Sequence, residues 1–166
     1  MPAYFPGVSA ACGVELGRYV LAERLAGNAE SWALARMHAL LRRALPDVRA
    51  VIAYCDPVER RDETGAIVKR GHIGTIYKAT NATYRGRSSA RTLWLSPSGA
   101  SLSDRLLSKV RLSESGERYA LDRLAGLGAP RRQPHELGAD YIGRLKECGW
   151  LHPVRHPGNL AFAWSL

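Results

Sequence analysis

A chain of 166 residues with 46% hydrophobic and 8% aromatic residues is long enough to bury a real core, and this is not the composition of a disordered segment. No apolar run approaches the roughly 18 residues needed to span a bilayer, and residues 1–13 lack the basic and apolar regions of a secretory leader. The net charge of +9 leans to the second half: residues 85–155 carry 13 Lys or Arg against 7 Asp or Glu, and residues 1–84 carry 11 against 8.

Such a surplus favours a polyanionic partner, because phosphates gripped by basic side chains release condensed counterions. Twenty of the 24 basic residues are Arg, so an arginine-rich genome would raise the same count with no such partner. Cys12, Cys55 and Cys148 form no CxxC pair, which argues against a disulfide framework or a zinc site and fits a reducing cytoplasm.

In chain order, residues 14–22 read as a strand and Glu23 to Ser31 as a polar turn around Gly27-Asn28. A helix follows to about Leu45 and stops at Pro46. Leu34, Met37, Leu41 and Leu45, with Leu40 and Ala44, supply its apolar face, and Arg36, Arg42 and Arg43 its wet one. The β-branched run 48–54 is a buried strand. Strand, turn, helix and strand make a βαβ unit, which demands a parallel neighbour. The charged stretch 58–70 around Thr64-Gly65 reads as a protruding hairpin or a flexible loop, and Ile73 to Tyr84 as a second, short helix. Residues 91–95 form a strand, Pro97-Ser98-Gly99 a hairpin turn, and 103–126 a mostly helical stretch with Gly interruptions. A Pro/Gly-rich loop at 127–140, a short helix at 141–147 and a last strand at 160–164 complete the chain.

Two clusters carry chemistry. The turn Arg24 to Ser31, between a strand and a helix, presents helix N-terminal amides of the kind that bind a pyrophosphate, and the small residues at 26, 27 and 29 permit close approach. Many helices start with Gly-Asn and bind nothing. Asp56 follows the buried strand directly, at the end where parallel sheets place ligands, and His72 to Asn81 opens the next helix. On a helix starting near His72, Tyr77 and Asn81 stand four apart on one face, so Asp56, Tyr77, Asn81 and His72 could meet beside the turn. Asp56 could equally cap the turn after its strand, and Tyr77 could be an ordinary half-buried aromatic. Arg155 and His156 before Pro157-Gly158, and Lys109 and Arg111, could grip phosphate or simply be surface.

Glu15-Leu16-Gly17-Arg18, Gly27-Asn28-Ala29-Glu30-Ser31, Tyr54-Cys55-Asp56, Gly71 to Asn81, Leu107-Ser108-Lys109-Val110-Arg111 and Arg155-His156-Pro157-Gly158-Asn159 together resemble the Mom family of bacteriophage DNA-modification proteins. No single stretch is decisive; the ordered set, covering nearly the whole chain from residue 14, is what is specific. The family looks like a divergent branch of the GNAT acyltransferase superfamily. The resemblance implies conversion of adenine in DNA to an N6-carbamoylmethyl-type derivative that shields phage DNA from restriction. It implies acetyl-CoA or a related acyl donor, with its pyrophosphate on Arg24, Gly27, Asn28, Ala29, Glu30 and Ser31. Tyr77 would be the general acid, its unperturbed pKa near 10 suiting donation to a thiolate. Asp56 would accept from the N6 amine, Asn81 would orient base or cofactor, and His72 would be a base or an iron ligand, iron being raised by the resemblance alone.

The expected architecture is therefore α/β of the α+β type, a GNAT-like mixed sheet in a single domain. Residues 14–95 would form the βαβ cofactor-binding core and 96–166 a basic extension packed on it. Only 13 residues precede Val14, so the N-terminal part of such a fold is expected to be shortened, wrongly started, or completed by a homodimer mate or other partner chain. Double-stranded DNA is the expected partner, met by a broad phosphate-gripping surface of Arg87, Arg91, Lys109, Arg111, Arg131, Arg132, Arg155 and His156 rather than by a recognition helix. No membrane is expected, and the location is the cytoplasm, that of the host cell for a phage protein. The rival readings are a conventional acetyl-CoA-dependent N-acetyltransferase and an inactive DNA-binding remnant.

Overall fold

In the computed structural model the residues described are 8–17, 19–22, 24–25 and 27–166. Arg18 of the expected first strand, Glu23 of the expected polar turn and Ala26 of the expected cofactor turn lie outside them. The architecture is α+β, with mixed parallel and antiparallel pairing. The chain divides into two compact units, Met1–Pro57 with Gly71–Ser89 and Pro157–Leu166, and Val58–Arg70 with Ala90–His156.

The first unit is built on a four-stranded sheet, order β1-β2-β9-β5. β1 (Gly13–Leu16) runs parallel to β2 (Ala50–Cys55), and α1 (Ala29–Ala44) connects them, so the expected βαβ unit is present. β1 is shorter than expected, ending at Leu16 rather than at residue 22. β2 is central, and Ala50, Val51, Ile52, Ala53 and Cys55 are all buried, as a strand covered on both faces requires. β9 (Leu160–Ser165) returns antiparallel between β2 and β5 (Thr83–Arg87), pairing Val51 with Trp164 and Ala53 with Phe162. Alternation along β2 and β9 then puts Val51, Ala53, Cys55, Phe162 and Trp164 on one face, against Leu34 of α1 and Tyr77 of α2 (Thr75–Ala79). Ala50, Ile52 and Ala163 look the other way.

The helix face differs from the one read in the sequence. Leu34 is buried and Met37 and Leu41 pack on the core, but Leu40 and Leu45 are exposed and the buried place one turn beyond Leu34 goes to His38. The second helix is also much shorter than 73–84. Asn81 takes φ 64, which no helix continues through, and Thr83–Arg87 pairs with β9 instead, so tertiary pairing overrides the local pattern.

The second unit holds a hairpin, β3 (Arg60–Arg61) with β4 (Ile67–Lys69), as one of the two readings of 58–70 expected. Its three-stranded antiparallel sheet has the order β7-β6-β8, from β6 (Arg91–Leu95), β7 (Ser101–Leu102) and β8 (His152–His156). The sequence reading missed β8, whose alternation is hidden by His and Pro. Helices α3 (Asp104–Arg111), α4 (Glu117–Gly126) and α5 (Gly138–Glu147) close a core around Leu107, Val110, Leu124, Leu145 and Leu151. Ser103 caps α3 by accepting from the Leu106 amide at 3.2 Å. Among the described residues, no helix is long and apolar enough to cross a membrane.

Candidate active site

In the first unit, β2 delivers Cys55 and Asp56 at its carboxyl end, and the chain is fastened there again when the His72 amide donates to the Asp56 carbonyl at 2.8 Å. The backbone thus brings His72 next to Asp56. Gly74 turns the chain into α2 with φ 76, and a Cβ there would fall on the Phe162 ring, so the position has no room for a side chain. The helix then points Tyr77 inward, only 6% exposed.

The Tyr77 ring is walled by aromatic groups. Ring centroids lie 5.2 Å away at His72, 5.7 Å at Phe162 and 5.3 Å at Trp164, the last edge-on. Trp164 Nε1 donates to the Thr80 carbonyl at 2.9 Å, and the Thr80 hydroxyl donates to the Ile76 carbonyl at 2.9 Å. A five-residue helix could not hold itself; the Trp164 bond ties its C-terminal end to the last strand, and the Thr80 hydroxyl closes its own last turn.

Burial, first, pushes the Tyr77 phenol above its usual value of 10.0, and the negative forms of Cys55, Glu30 and Tyr19 push in the same direction. It is therefore raised, not unperturbed, and stays protonated through neutral pH. Tyr19 packs against the same core, and its hydroxyl donates to the Glu30 carbonyl at 2.6 Å in the first turn of α1. His38 lies edge-on to Trp164 at 5.1 Å with its Nε2 buried and without a hydrogen-bond partner among the described residues; burial and then Arg42 lower its pKa. His72 is exposed, and its Nδ1 accepts from the Gly74 amide at 3.1 Å. With that lone pair engaged, the neutral ring carries its proton on Nε2 and offers a donor rather than a base.

The turn before α1 is open. Arg24, Gly27, Asn28 and Glu30 are exposed, and Ala29 and Ser31 half-buried. Asn28 is the N-cap but makes no side-chain capping bond, and the Ser31 hydroxyl is spent on the Asn28 carbonyl at 2.9 Å. Among the described residues, no side-chain acceptor caps the first turn of α1, a fit for an anionic group such as a pyrophosphate, which Glu30 within that turn opposes.

Other expected members do not join. Asn81 is exposed beyond the end of α2, so it shares no helix face with Tyr77. Of the basic set, Arg87 belongs to the first unit, and Arg91, Lys109, Arg111, Arg131, Arg132, Arg155 and His156 to the second. His156 is 1% exposed and does not present its ring to solvent phosphate. Arg132 is half-buried and bound to Glu117 at 2.7 Å. Among the described residues, no group of three or more His, Cys, Asp or Glu could hold a metal ion, and a donating His72 Nε2 suits iron poorly. Sequence reasoning missed Tyr19, His38, Cys55, Thr80, Phe162 and Trp164. The Mom protein family model matches residues 4–126 of the chain. No match is found among curated proteins.

Proposed function

The chain belongs to the Mom protein family, whose members are bacteriophage DNA-modifying enzymes, and from that premise we propose that it modifies adenine in DNA at the exocyclic N6 amine. The product proposed is an N6-carbamoylmethyl-type adenine that protects phage DNA from restriction. The observation that carries this reading is Tyr77, a buried, protonated phenol on α2 packed with Cys55 of β2 and the aromatic groups of β9, in the field of Glu30 from the first turn of α1.

The N6 lone pair is delocalised into the purine ring and its protons are paired in duplex DNA, so the base must leave the stack to react. Asp56, half-buried at the end of β2 with its backbone carbonyl bonded to the His72 amide, would accept an N6 proton and direct the remaining lone pair. The Tyr77 hydroxyl serves as the acid, holding a proton for the leaving atom, and the aromatic wall of Phe162 and Trp164 keeps water from it. The His72 Nε2–H is a hydrogen-bond donor for a base edge or a donor carbonyl. The amides of the first turn of α1 would seat the pyrophosphate of acetyl-CoA or a related acyl donor, as in a GNAT-type βαβ cradle. When bound, such a donor would supply an activated acyl group, and direct attack by N6 on its carbonyl carbon would release the thiol and give only an N6-acyl adenine. A carbamoylmethyl product would require in addition an amine co-substrate to provide the amide nitrogen and a bond from N6 to the methylene carbon.

Mass spectrometry of nucleosides from DNA of cells expressing the wild-type chain or Tyr77→Phe tests this. The expected result is a modified deoxyadenosine that falls about 10²–10⁴-fold in the variant. An N6-acetyl product would mark plain acyl transfer, and unmodified deoxyadenosine throughout would refute the reading.

A further inference from the structure

The second unit contains a groove of about 230 Å³ between α3 and α5, floored by Leu107 and Ile142. Its polar rim is Asp104, Ser108 and Arg111 from α3 and Lys146 from α5, with Trp94 of β6 beside it. Asp104, Ser108 and Arg111 follow i, i+4, i+7 spacing on one helix face, and the two charged ends are about 10 Å apart along the axis. The Lys146 ammonium lies 4.2 Å from the centroid of the Trp94 ring. Among the described residues neither Arg111 nor Lys146 makes an ion pair, although Asp104 lines the same groove.

Lys109 is different. It stands about 200° around the helix from Arg111, and its Nζ lies over the turn at Gly116, 2.9 Å from where a Cβ would be. The two basic residues of the Leu107–Arg111 stretch therefore cannot grip one phosphate, and the cation that joins Arg111 is Lys146.

We propose that this groove is a seat for one phosphate of the DNA backbone, an inference that rests on DNA being the substrate. Arg111 and Lys146 donate to its non-bridging oxygens and Ser108 adds a hydroxyl donor. Asp104, at the far end, turns a second anion away and so fixes the register of the strand. Lying on the indole, the Lys146 ammonium has already shed part of its hydration, which lowers the cost of moving onto a phosphate and lets Trp94 emission report the move.

The test measures binding of the full chain to a labelled duplex across salt concentrations, for the wild type and four variants. Arg111→Ala and Lys146→Ala should each weaken binding about tenfold at low salt and flatten the log K against log salt slope by about one unit. Lys109→Ala should match the wild type, and Asp104→Asn should bind as tightly or more tightly. Melting curves will show that these surface changes leave the fold intact. Loss in Lys109→Ala equal to that in Arg111→Ala, wild-type affinity in both Arg111→Ala and Lys146→Ala, or weaker binding by Asp104→Asn overturns the seat. Titration of Trp94 emission with inorganic phosphate and deoxyadenosine monophosphate, with Trp94→Phe as the blank, separates the sources. A response dependent on Arg111 and Lys146 without any duplex binding overturns the DNA source. Duplex binding that depends on the same pair supports the seat even where no modified nucleoside forms, so its failure and that of the proposed reaction are told apart.

Discussion

Gly74→Ala would strike the framework of Tyr77 without touching its ring, and its cost can be worked from two separate sources. The backbone at Gly74 has φ 76, which costs an alanine about 1–2 kcal/mol. The new methyl would fall on Phe162, which is fully buried and held between Tyr77 and Tyr84 at 5.7 and 5.5 Å, so it cannot step aside. Overpacking of that kind costs about 1–3 kcal/mol. The sum is about 2–5 kcal/mol, measured as the loss in chemical denaturation. Phe162→Leu opens the space, so a double-mutant cycle should return the packing part as coupling, about 1–3 kcal/mol, and leave the backbone part behind. A cost for Gly74→Ala below about 0.5 kcal/mol would refute the close approach altogether. Zero coupling with Phe162→Leu would assign the whole cost to the backbone and refute the packing half of the reasoning.

Tyr77→Phe should leave stability within about 1 kcal/mol, since no hydrogen bond to the phenol forms among the described residues, while abolishing most nucleoside modification. A fall in melting temperature that accounts for the lost activity would make Tyr77 structural. His38, held below 6.5 by burial, binds fewer protons folded than unfolded, so stability should decline as pH falls through about 6.5. His38→Leu should melt higher at neutral pH and lose that slope; melting from pH 8 to pH 5 reads both, and an unchanged slope would clear His38 of the effect. Glu136 is held at about 2, first by its hydrogen bonds from Arg144, so the stability it adds is present above about 4.5 and lost as pH falls toward 2. Melting of Glu136→Gln against wild type should show a gap that closes over that range, and a constant gap would mean the carboxylate charge is not its cause.

The parts of the fold that could be read in the sequence were those whose pattern is local. Residues 48–54 form a buried strand by their β-branched content alone, and α1 is bounded by Gly27-Asn28 and Pro46. The parts that could not be read depend on partners far along the chain. Residues 73–84 look helical until β9 arrives to pair with Thr83–Arg87, and nothing within the segment announces that strand. β8 was hidden because His152, Pro153 and His156 interrupt any apolar alternation, although Val154 and His156 face inward in its sheet register.

The candidate site divides along the same line. Asp56 and His72 were legible because a strand end and a following turn are sequence-local features, and the structure ties them by one backbone bond. Tyr77 was legible as a residue but not as an environment. Its aromatic wall comes from Phe162 and Trp164, more than eighty residues later, and its electrostatic neighbours Tyr19 and Glu30 come from before β2. Spacing therefore suggested a partner four residues on, Asn81, when the chain in fact ends the helix and supplies the partners from β9 and from segments before β2, on one face of the sheet. The phenol is pushed upward by burial that only those distant elements create, so its titration could not have been anticipated from the segment that carries it. A donor site of this kind is set by the return of β9, and substitutions on that strand, not only at Tyr77, should move it.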